Sequence, residues 1–262
     1  MEKTMEEHTY SIDIDDPFPF SCQPDVPCFN ECCHDLNQFL TPYDVLRLKN
    51  ALKLPSAEFL DRFTTMHTGP ESGLPVVTPL YKQGTQLECP FLQPSGCSIY
   101  DDRPGACRAY PIARAIKRSR ETGVISEYFM LIKEPHCQGH ENLQKIQTVS
   151  EWMTSQGLIP YNQMNDPLME VISLKNRLHP HPLNRDERNL FYKTCYDLDT
   201  FRYEIFATPL ADGETIPPAI FRQIETCDPA LLLFGYAWVR YKLFGLPMDG
   251  NQLAQRIQEI SI

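Results

Sequence analysis

The sequence predicts an α+β protein that is predominantly α-helical, with a small, loop-rich, cysteine-bearing region and a short sheet packed against a helical C-terminal half. Eight of its ten cysteines lie in the first 137 residues, in segments that are rich in proline and glycine. The chain has 23 prolines, which favour short elements and loops over long regular ones. From about residue 141 onward, apolar residues recur instead at the spacing of amphipathic helices.

Size and charge limit the classes of function. At 262 residues the chain is long enough to bury a full core, as one domain or as two closely packed ones. Its formal net charge of −10 argues against broad binding to nucleic acids or anionic membranes, because both require clustered lysine and arginine. The longest apolar run, residues 230–239, is too short to span a bilayer, so no membrane insertion is expected.

The first element is an N-terminal segment, residues 1–17, that we expect to be a mobile acidic tail. A cysteine-cluster metal-binding domain is expected over residues 18–140, and a helical C-terminal extension over 141–262. The segment 1–20 has neither a basic nor an apolar stretch of the kind found in secretory signals, which favours a cytoplasmic location.

Two helices are predicted after the first cysteine group. Thr41 is a candidate N-cap, Pro42 suits the first helical position, and Asp44 lies in the first turn. A second, short helix is expected from Ala57 to Met66, with Ser56 as its cap.

Two strands are predicted on either side of the second cysteine group. They are residues 75–81 and residues 124–132, both rich in β-branched or aromatic residues. We expect these two strands to pair, with the cysteine loop between them.

The C-terminal part reads as a series of helices. The expected spans are Leu143–Gln156, Asp166–Leu178, a helix capped by Asn184 and Glu187, Asp228–Phe244, and Asn251–Ile260.

The clustered cysteines carry the chemistry. Thiolates are the softest ligands that a protein offers, and a zinc ion or an iron–sulfur cluster needs about four of them close together. The adjacent pair Cys32–Cys33 points its side chains apart, which suits two different metal ions better than chelation of one. The candidate metal ligands are Cys22, Cys28, Cys32, Cys33, Cys89, Cys97, Cys107 and Cys137. Their spacing leaves open whether they serve one site with spare thiols or two sites of four ligands.

Other interpretations of these cysteines are weaker. Core packing fits poorly with loops broken by proline and glycine, and structural disulfides fit poorly with the absence of a secretory signal. Cys195 and Cys227 stand alone in predicted helices, so we expect them to be bystanders. Arg103 and Arg108 flank Cys107, either offsetting thiolate charge or pairing with neighbouring carboxylates.

Several motifs together resemble a known family. The segments are FSCQPDVPCFNECC, LTPYDVL, CPFL, and GCSIYDDRPGACRAYP, within residues 18–140. They resemble the YkgJ-type cysteine-cluster proteins, a family identified with zinc or iron chelation. The resemblance implies that the eight cysteines named above are ligands, although the five residues between Cys22 and Cys28 exceed the two that are usual in the family.

Three functions follow as hypotheses. The first is a cytoplasmic protein that holds an iron–sulfur cluster of the 4Fe–4S type, or zinc, with a redox or cluster-dependent role. The second rests on a more distant similarity to flagellin lysine N-methylases and would make the chain an S-adenosylmethionine-dependent enzyme acting on a protein substrate. The third is a structural or interaction module stapled by zinc. No phosphate loop, dinucleotide fingerprint or nucleophilic triad is present in the sequence.

Overall fold

The computed structural model describes residues 8–34, 38–70, 72–82, 84, 87–118, 125–143, 145–207 and 218–260. The strands are β1 Thr9–Ile12, β2 Pro17–Pro19, β3 Thr64–Thr68, β4 Pro75–Pro79, β5 Leu92–Gln93, β6 Gly96–Cys97, β7 Ile112–Arg118, β8 Ile125–Ile132 and β9 Ile146–Thr148. The helices are α1 Pro42–Leu52, α2 Ser56–Phe63, α3 Gly105–Ala109, α4 Val149–Ser155, α5 Leu158–Leu178, α6 Arg185–Cys195, α7 Leu198–Ala207, α8 Pro218–Thr226, α9 Asp228–Phe244 and α10 Gly250–Glu259. The predicted α+β class with predominant helix is confirmed.

The chain forms two compact units. The first comprises residues 1–36, 83–100 and 105–159, and the second comprises residues 37–82, 101–104 and 160–262.

A three-stranded antiparallel sheet of order β1-β8-β7 organises the first unit, and β2 pairs with β9 in a second, two-stranded sheet. Apolar residues from these strands and from α4 form its core: Ile12, Phe18, Phe20, Ile112, Phe129, Leu131, Val149 and Trp152. This core gives the cysteine loops of the first unit a rigid base.

The strand pairing predicted from the sequence is wrong. β8 pairs with β7 and β1, whereas β4 pairs with β3 in a local hairpin. The hairpin forms because the β-branched Thr64 and Thr65 end helix α2 at Phe63, which is three residues short of the predicted end. Strand β7 was not predicted, because its charged residues interrupt the alternating apolar pattern that indicates a strand.

Part of the segment expected to be a mobile tail is ordered. Thr9–Ile12 forms β1 and pairs with β8, and Ile12 enters the core. The remainder of the expected tail that precedes residue 8 lies outside the described residues.

The second unit is built around α9, whose residues from Ala230 to Tyr236 are all buried. Helix α6 crosses it closely at Gly235, where a Cβ atom would stand only 2.9 Å from the Thr194 carbonyl oxygen. Phe201 of α7 stacks on Phe234 with ring centroids 6.0 Å apart. A side chain at position 235 would therefore force these helices apart.

Most predicted helices are confirmed, with two corrections. Residues 143 and 145–148 are not helical, because Ile146–Thr148 pairs with β2 and a Thr148–Glu151 capping box starts α4 only at Val149. Helix α5 begins eight residues before the predicted Asp166 and continues through Pro167, since Tyr161 and Met164 extend its buried face. No helix in the described part of the chain has both the length and the apolar character needed to cross a bilayer.

The start of α1 supports a first prediction. Thr41 Oγ1 accepts from the Asp44 N–H at 3.2 Å, and Asp44 Oδ2 accepts from the Thr41 N–H at 2.8 Å. Thr41→Ala is expected to lower the free energy of unfolding by about 1 kcal/mol, because it breaks this capping box next to a buried carboxylate. Thr68→Ala, on the exposed part of β3, is the matched control and should change it by less than about 0.5 kcal/mol in the same urea titration. Equal effects of the two variants would contradict the importance of the cap.

Candidate metal centre

All eight cysteines predicted as ligands lie within the first unit. They come from three stretches of chain, at residues 22–33, 89–107 and 137. The other two cysteines, Cys195 and Cys227, belong to the second unit. Cys195 is fully buried, and burial raises the pKa of its thiol, so it stays neutral as an ordinary core residue.

A chain of tight turns presents the first cysteine group. The Phe29, Glu31 and Cys33 N–H groups each donate to the carbonyl oxygen three residues earlier, at 2.9 to 3.1 Å. Asn30 adopts a left-handed conformation with φ of 73°, which asparagine tolerates better than most residues. These turns change the direction of the chain between Cys28 and the adjacent pair Cys32–Cys33, so the two ends of the group face different loops.

Cys33 lies at the centre of a four-thiol group, which we define as Cys32, Cys33, Cys89 and Cys107. Its thiol interacts with that of Cys32 and, over longer range, with those of Cys89 and Cys107. The Cys89 N–H donates to the Cys33 carbonyl oxygen at 2.9 Å, and His34 and Glu88 form a β-bridge next to this bond. The main chain thus holds two distant cysteine segments side by side.

Within the four-thiol group, the surroundings favour the deprotonated form of one cysteine, Cys32. The Cys33 thiol stabilises the thiolate of Cys32 and lowers its pKa to about 7, against opposition from burial and from Glu134. The proton is retained by Cys33, whose pKa is raised by its interaction with Cys32 and by burial. The interaction with Cys33 therefore favours the thiolate of Cys32, which is the form of cysteine that binds metal.

Cys28 and Cys137 form a thiol pair. The Gln138 N–H donates to Cys28 Sγ at 3.1 Å, which places the Cys28 sulfur beside the residue that follows Cys137. The two thiols interact directly, and burial raises the pKa of Cys137. Both residues are half-buried, Cys28 in the first cysteine group and Cys137 on the loop after β8.

Two polar residues, Tyr110 and Glu134, lie beside the thiols. The Tyr110 hydroxyl approaches the Cys137 thiol, although it stops short of a well-formed hydrogen bond. Glu134 interacts both with Tyr110 and with Cys32, so it lies next to the thiol pair and the four-thiol group alike. Only the position of Glu134 three residues before Cys137 could have signalled its role.

Helix α3, which carries Cys107, is fixed from two sides. The buried Arg108 guanidinium donates to the Gln156 carbonyl oxygen at 2.5 Å, at the C-terminal end of α4. Trp152 Nε1 donates in turn to the Ala109 carbonyl oxygen at 2.8 Å. Arg108 thus binds a helix end, which attracts cations, and so positions the cysteine next to it. Arg103, the other arginine that flanks Cys107 in the sequence, belongs to the second unit.

The histidines near the cysteines have different surroundings. His140 Nε2 lies 3.0 Å from the Ile132 carbonyl oxygen and its ring packs on Phe20, so its role in the described structure is to brace the core. His136 is exposed and lies 3.7 Å from Glu134. His34 Nδ1 is buried without a hydrogen-bond partner among the described residues, next to the four-thiol group in the chain.

The remaining two predicted ligands are placed by their backbone. Cys97 lies in β6, opposite Leu92 of β5 in a short hairpin. Cys22 is exposed and follows Ser21, whose N–H donates to the Gly139 carbonyl oxygen at 2.9 Å. Both therefore lie on loops that also carry members of the four-thiol group or the thiol pair.

The donor set fits a thiophilic metal. Six thiols fall into two groups on one unit, and sulfur is the preferred donor for zinc and for iron–sulfur clusters. Within the part of the chain that the structure describes, no three Cys, His, Asp or Glu side chains already stand in metal-binding geometry. The fit therefore rests on the chemistry of the donors and on the loops that bring them together.

Comparison with protein-family models matches residues 21–146 to the family CxxCxxCC, described as "Putative zinc- or iron-chelating domain". The match spans the whole first group of cysteines, the second group and Cys137, and confirms the family resemblance of the motifs. Neither the curated proteins nor the solved structures gave a match.

Proposed function

Because residues 21–146 form a domain of this zinc- or iron-chelating family, we propose that the protein holds an iron–sulfur cluster through its clustered cysteines. The observation that carries the proposal is the four-thiol group, in which the Cys89 N–H donates to the Cys33 carbonyl oxygen at 2.9 Å and the Cys33 thiol interacts with Cys32 and, over longer range, with Cys89 and Cys107. Four thiolates are the usual complement of a 4Fe–4S cluster.

Zinc is the alternative metal, and the adjacent pair of cysteines favours a cluster over it. Neighbouring residues direct their side chains apart, so Cys32 and Cys33 reach two different iron atoms more easily than one zinc ion. The Cys33 thiol lowers the pKa of Cys32, which favours the thiolate form that a metal or a cluster binds. Binding would draw protons from the others, as metal sites generally do.

The protein's own residues would control the cluster in two ways. Tyr110 and the Gln138 N–H are hydrogen-bond donors beside the sulfur atoms, and such donors stabilise negative charge on sulfur. Glu134 acts in the opposite direction, because its carboxylate disfavours negative charge on the neighbouring thiols. The cluster itself would supply one-electron transfer, so we expect a redox partner or a cluster-dependent reaction.

A reducing compartment suits this function. Thiols that serve as ligands must escape disulfide formation, and the cytoplasm maintains that condition. We therefore place the protein there, with a protein substrate or a redox protein as its partner.

The test is anaerobic purification followed by iron, zinc and acid-labile sulfide analysis with a visible absorption spectrum. We expect brown protein with equal amounts of iron and sulfide, and loss of at least nine-tenths of both in Cys89→Ser. Cys227→Ser is the matched control, because Cys227 lies at the N-cap of α9, where serine is well accepted. It should retain the full content.

Two results would contradict the proposal in different ways. Colourless protein with stoichiometric zinc would replace the cluster by a zinc site with the same ligands. Unchanged metal content in Cys89→Ser would remove the four-thiol group as the site.

A further inference from the structure

We propose that a cavity bordered by helices α5, α9 and α10 binds the carboxylate group of a small organic acid with a short aliphatic part. All residues that line this cavity lie between residues 160 and 262, in the second unit. The site is therefore distinct from the cysteines of the first unit, and the inference does not depend on which metal they hold.

The lining of the cavity combines apolar side chains with two guanidinium groups. The empty volume, with the open mouth included, is about 430 Å³, which suits a ligand of a few heavy atoms. Arg240 of α9 and Arg256 of α10 provide the positive charge. A ligand that matches such a lining has an anionic head and an aliphatic part. The apolar residues of the lining are Leu233, Ala237, Pro247, Met248 and Leu253.

Arg240 is the member of the lining that most needs an acceptor. Its Nε atom is buried and has no hydrogen-bond partner among the described residues. Its Nη1 atom lies 3.8 Å from Glu170 Oε2, which is too far for a hydrogen bond. A buried guanidinium N–H without an acceptor is unfavourable, so a ligand that supplies one is stabilised at this position.

The carboxylates around the cavity are already engaged elsewhere. Both oxygens of Glu170 accept from Arg256 Nη2, at 2.8 and 3.0 Å. Asp249 also lines the cavity, but its Oδ1 atom caps α10 by accepting from two N–H groups at the start of that helix, each at 3.0 Å. The positive charge that is least neutralised by its neighbours is therefore that of Arg240.

The geometry of a guanidinium selects a carboxylate as the anionic head. Nε–H and one Nη–H lie in one plane and bind the two oxygens of a carboxylate in parallel. The Arg240 side chain is 27% exposed, so the guanidinium is not sealed from solvent. The apolar lining favours an organic acid over an inorganic anion, because methylene groups that enter the cavity leave water.

The methyl group of Met248 reports binding in the unaltered protein. The full chain, purified with its metal and labelled with ¹³C-methyl methionine, is titrated with butyrate, 1-butanol or inorganic phosphate, and Met248→Leu identifies the Met248 signal. We expect butyrate to shift this signal with a Kd of about 1 mM and to leave the signal of the exposed Met66 unchanged. Binding of 1-butanol or phosphate as tight as that of butyrate, or no shift with butyrate at about 50 mM, would overturn the inference.

Three variants test the role of Arg240 in the same titration. Arg240→Gln should weaken butyrate binding about tenfold, because it removes the charged hydrogen-bond donors. Glu170→Gln should strengthen binding about threefold, since it removes the carboxylate that competes for the arginines, and loss of folding cannot produce such a gain. Arg62→Gln is the matched control, because Arg62 is exposed and pairs with Glu58 on α2. Arg240→Gln protein that binds butyrate as the control does would contradict the inference.

Discussion

Removal of metal is expected to release the cysteine loops while the helices of the second unit stay folded. Between residues 22 and 34 the structure buries no side chain fully, and between residues 87 and 98 Phe91 is the one large side chain that it buries. Loops with so little apolar burial gain too little from packing to offset the conformational entropy that their ordering costs. Metal ligation stabilises small zinc domains by about 10–16 kcal/mol, and we expect it to keep these loops ordered here.

Hydrogen exchange of loaded and metal-depleted protein measures this effect locally. We expect amides in residues 22–33 and 89–97 to exchange at least 100-fold faster after depletion. Strands β7 and β8 should keep much of their protection, because the apolar core beneath them does not involve metal. Helix α9, in the second unit, is the internal control and should not change. Full protection of the cysteine loops without metal would show that packing alone holds them.

Thiolate chemistry and loop composition select eight cysteines as candidate donors, because clustering is visible in one dimension. That they bind metal stays a prediction. Their division was not visible, since it depends on backbone contacts such as the bond from the Cys89 N–H to the Cys33 carbonyl oxygen. Glu134 was missed as a neighbour of both groups for the same reason.

Helices were predicted well where local signals defined their ends. Thr41 with Asp44 and Asn184 with Glu187 both form the capping boxes that their spacing indicates. The strand pairing was predicted wrongly because tertiary packing determines which strands pair. β8 pairs with β7 and β1, neither of which has a strong strand pattern of its own. The predicted helix α5 was too short because Asp166-Pro167 resembles a helix start. The buried face of the helix continues on both sides of these two residues.

The core of the first unit reaches the metal site through Phe20. Its ring packs edge-on against Trp152 and Tyr110, with centroids 5.4 Å and 5.9 Å away. It also lies so close to Gly139 that a Cβ atom there would stand 2.7 Å from the ring. Phe20 therefore supports the chain on both sides of the thiol pair, two residues before Cys22 and next to the loop after Cys137.

Phe20→Ala is expected to destabilise the first unit by about 3–5 kcal/mol, the range found when a buried phenylalanine leaves a cavity. Because Tyr110 and the 137–139 loop lose their support, we expect the variant also to bind metal more weakly, with a chelator midpoint at least tenfold lower. Phe39→Ala is the matched control: Phe39 is 56% exposed, and its removal should change stability by less than about 0.5 kcal/mol. Urea titration of both variants with equal metal loading measures the first effect, and chelator titration measures the second. A Phe20→Ala protein that is destabilised but binds metal as tightly as the wild type would show that the cysteine loops are positioned independently of the core.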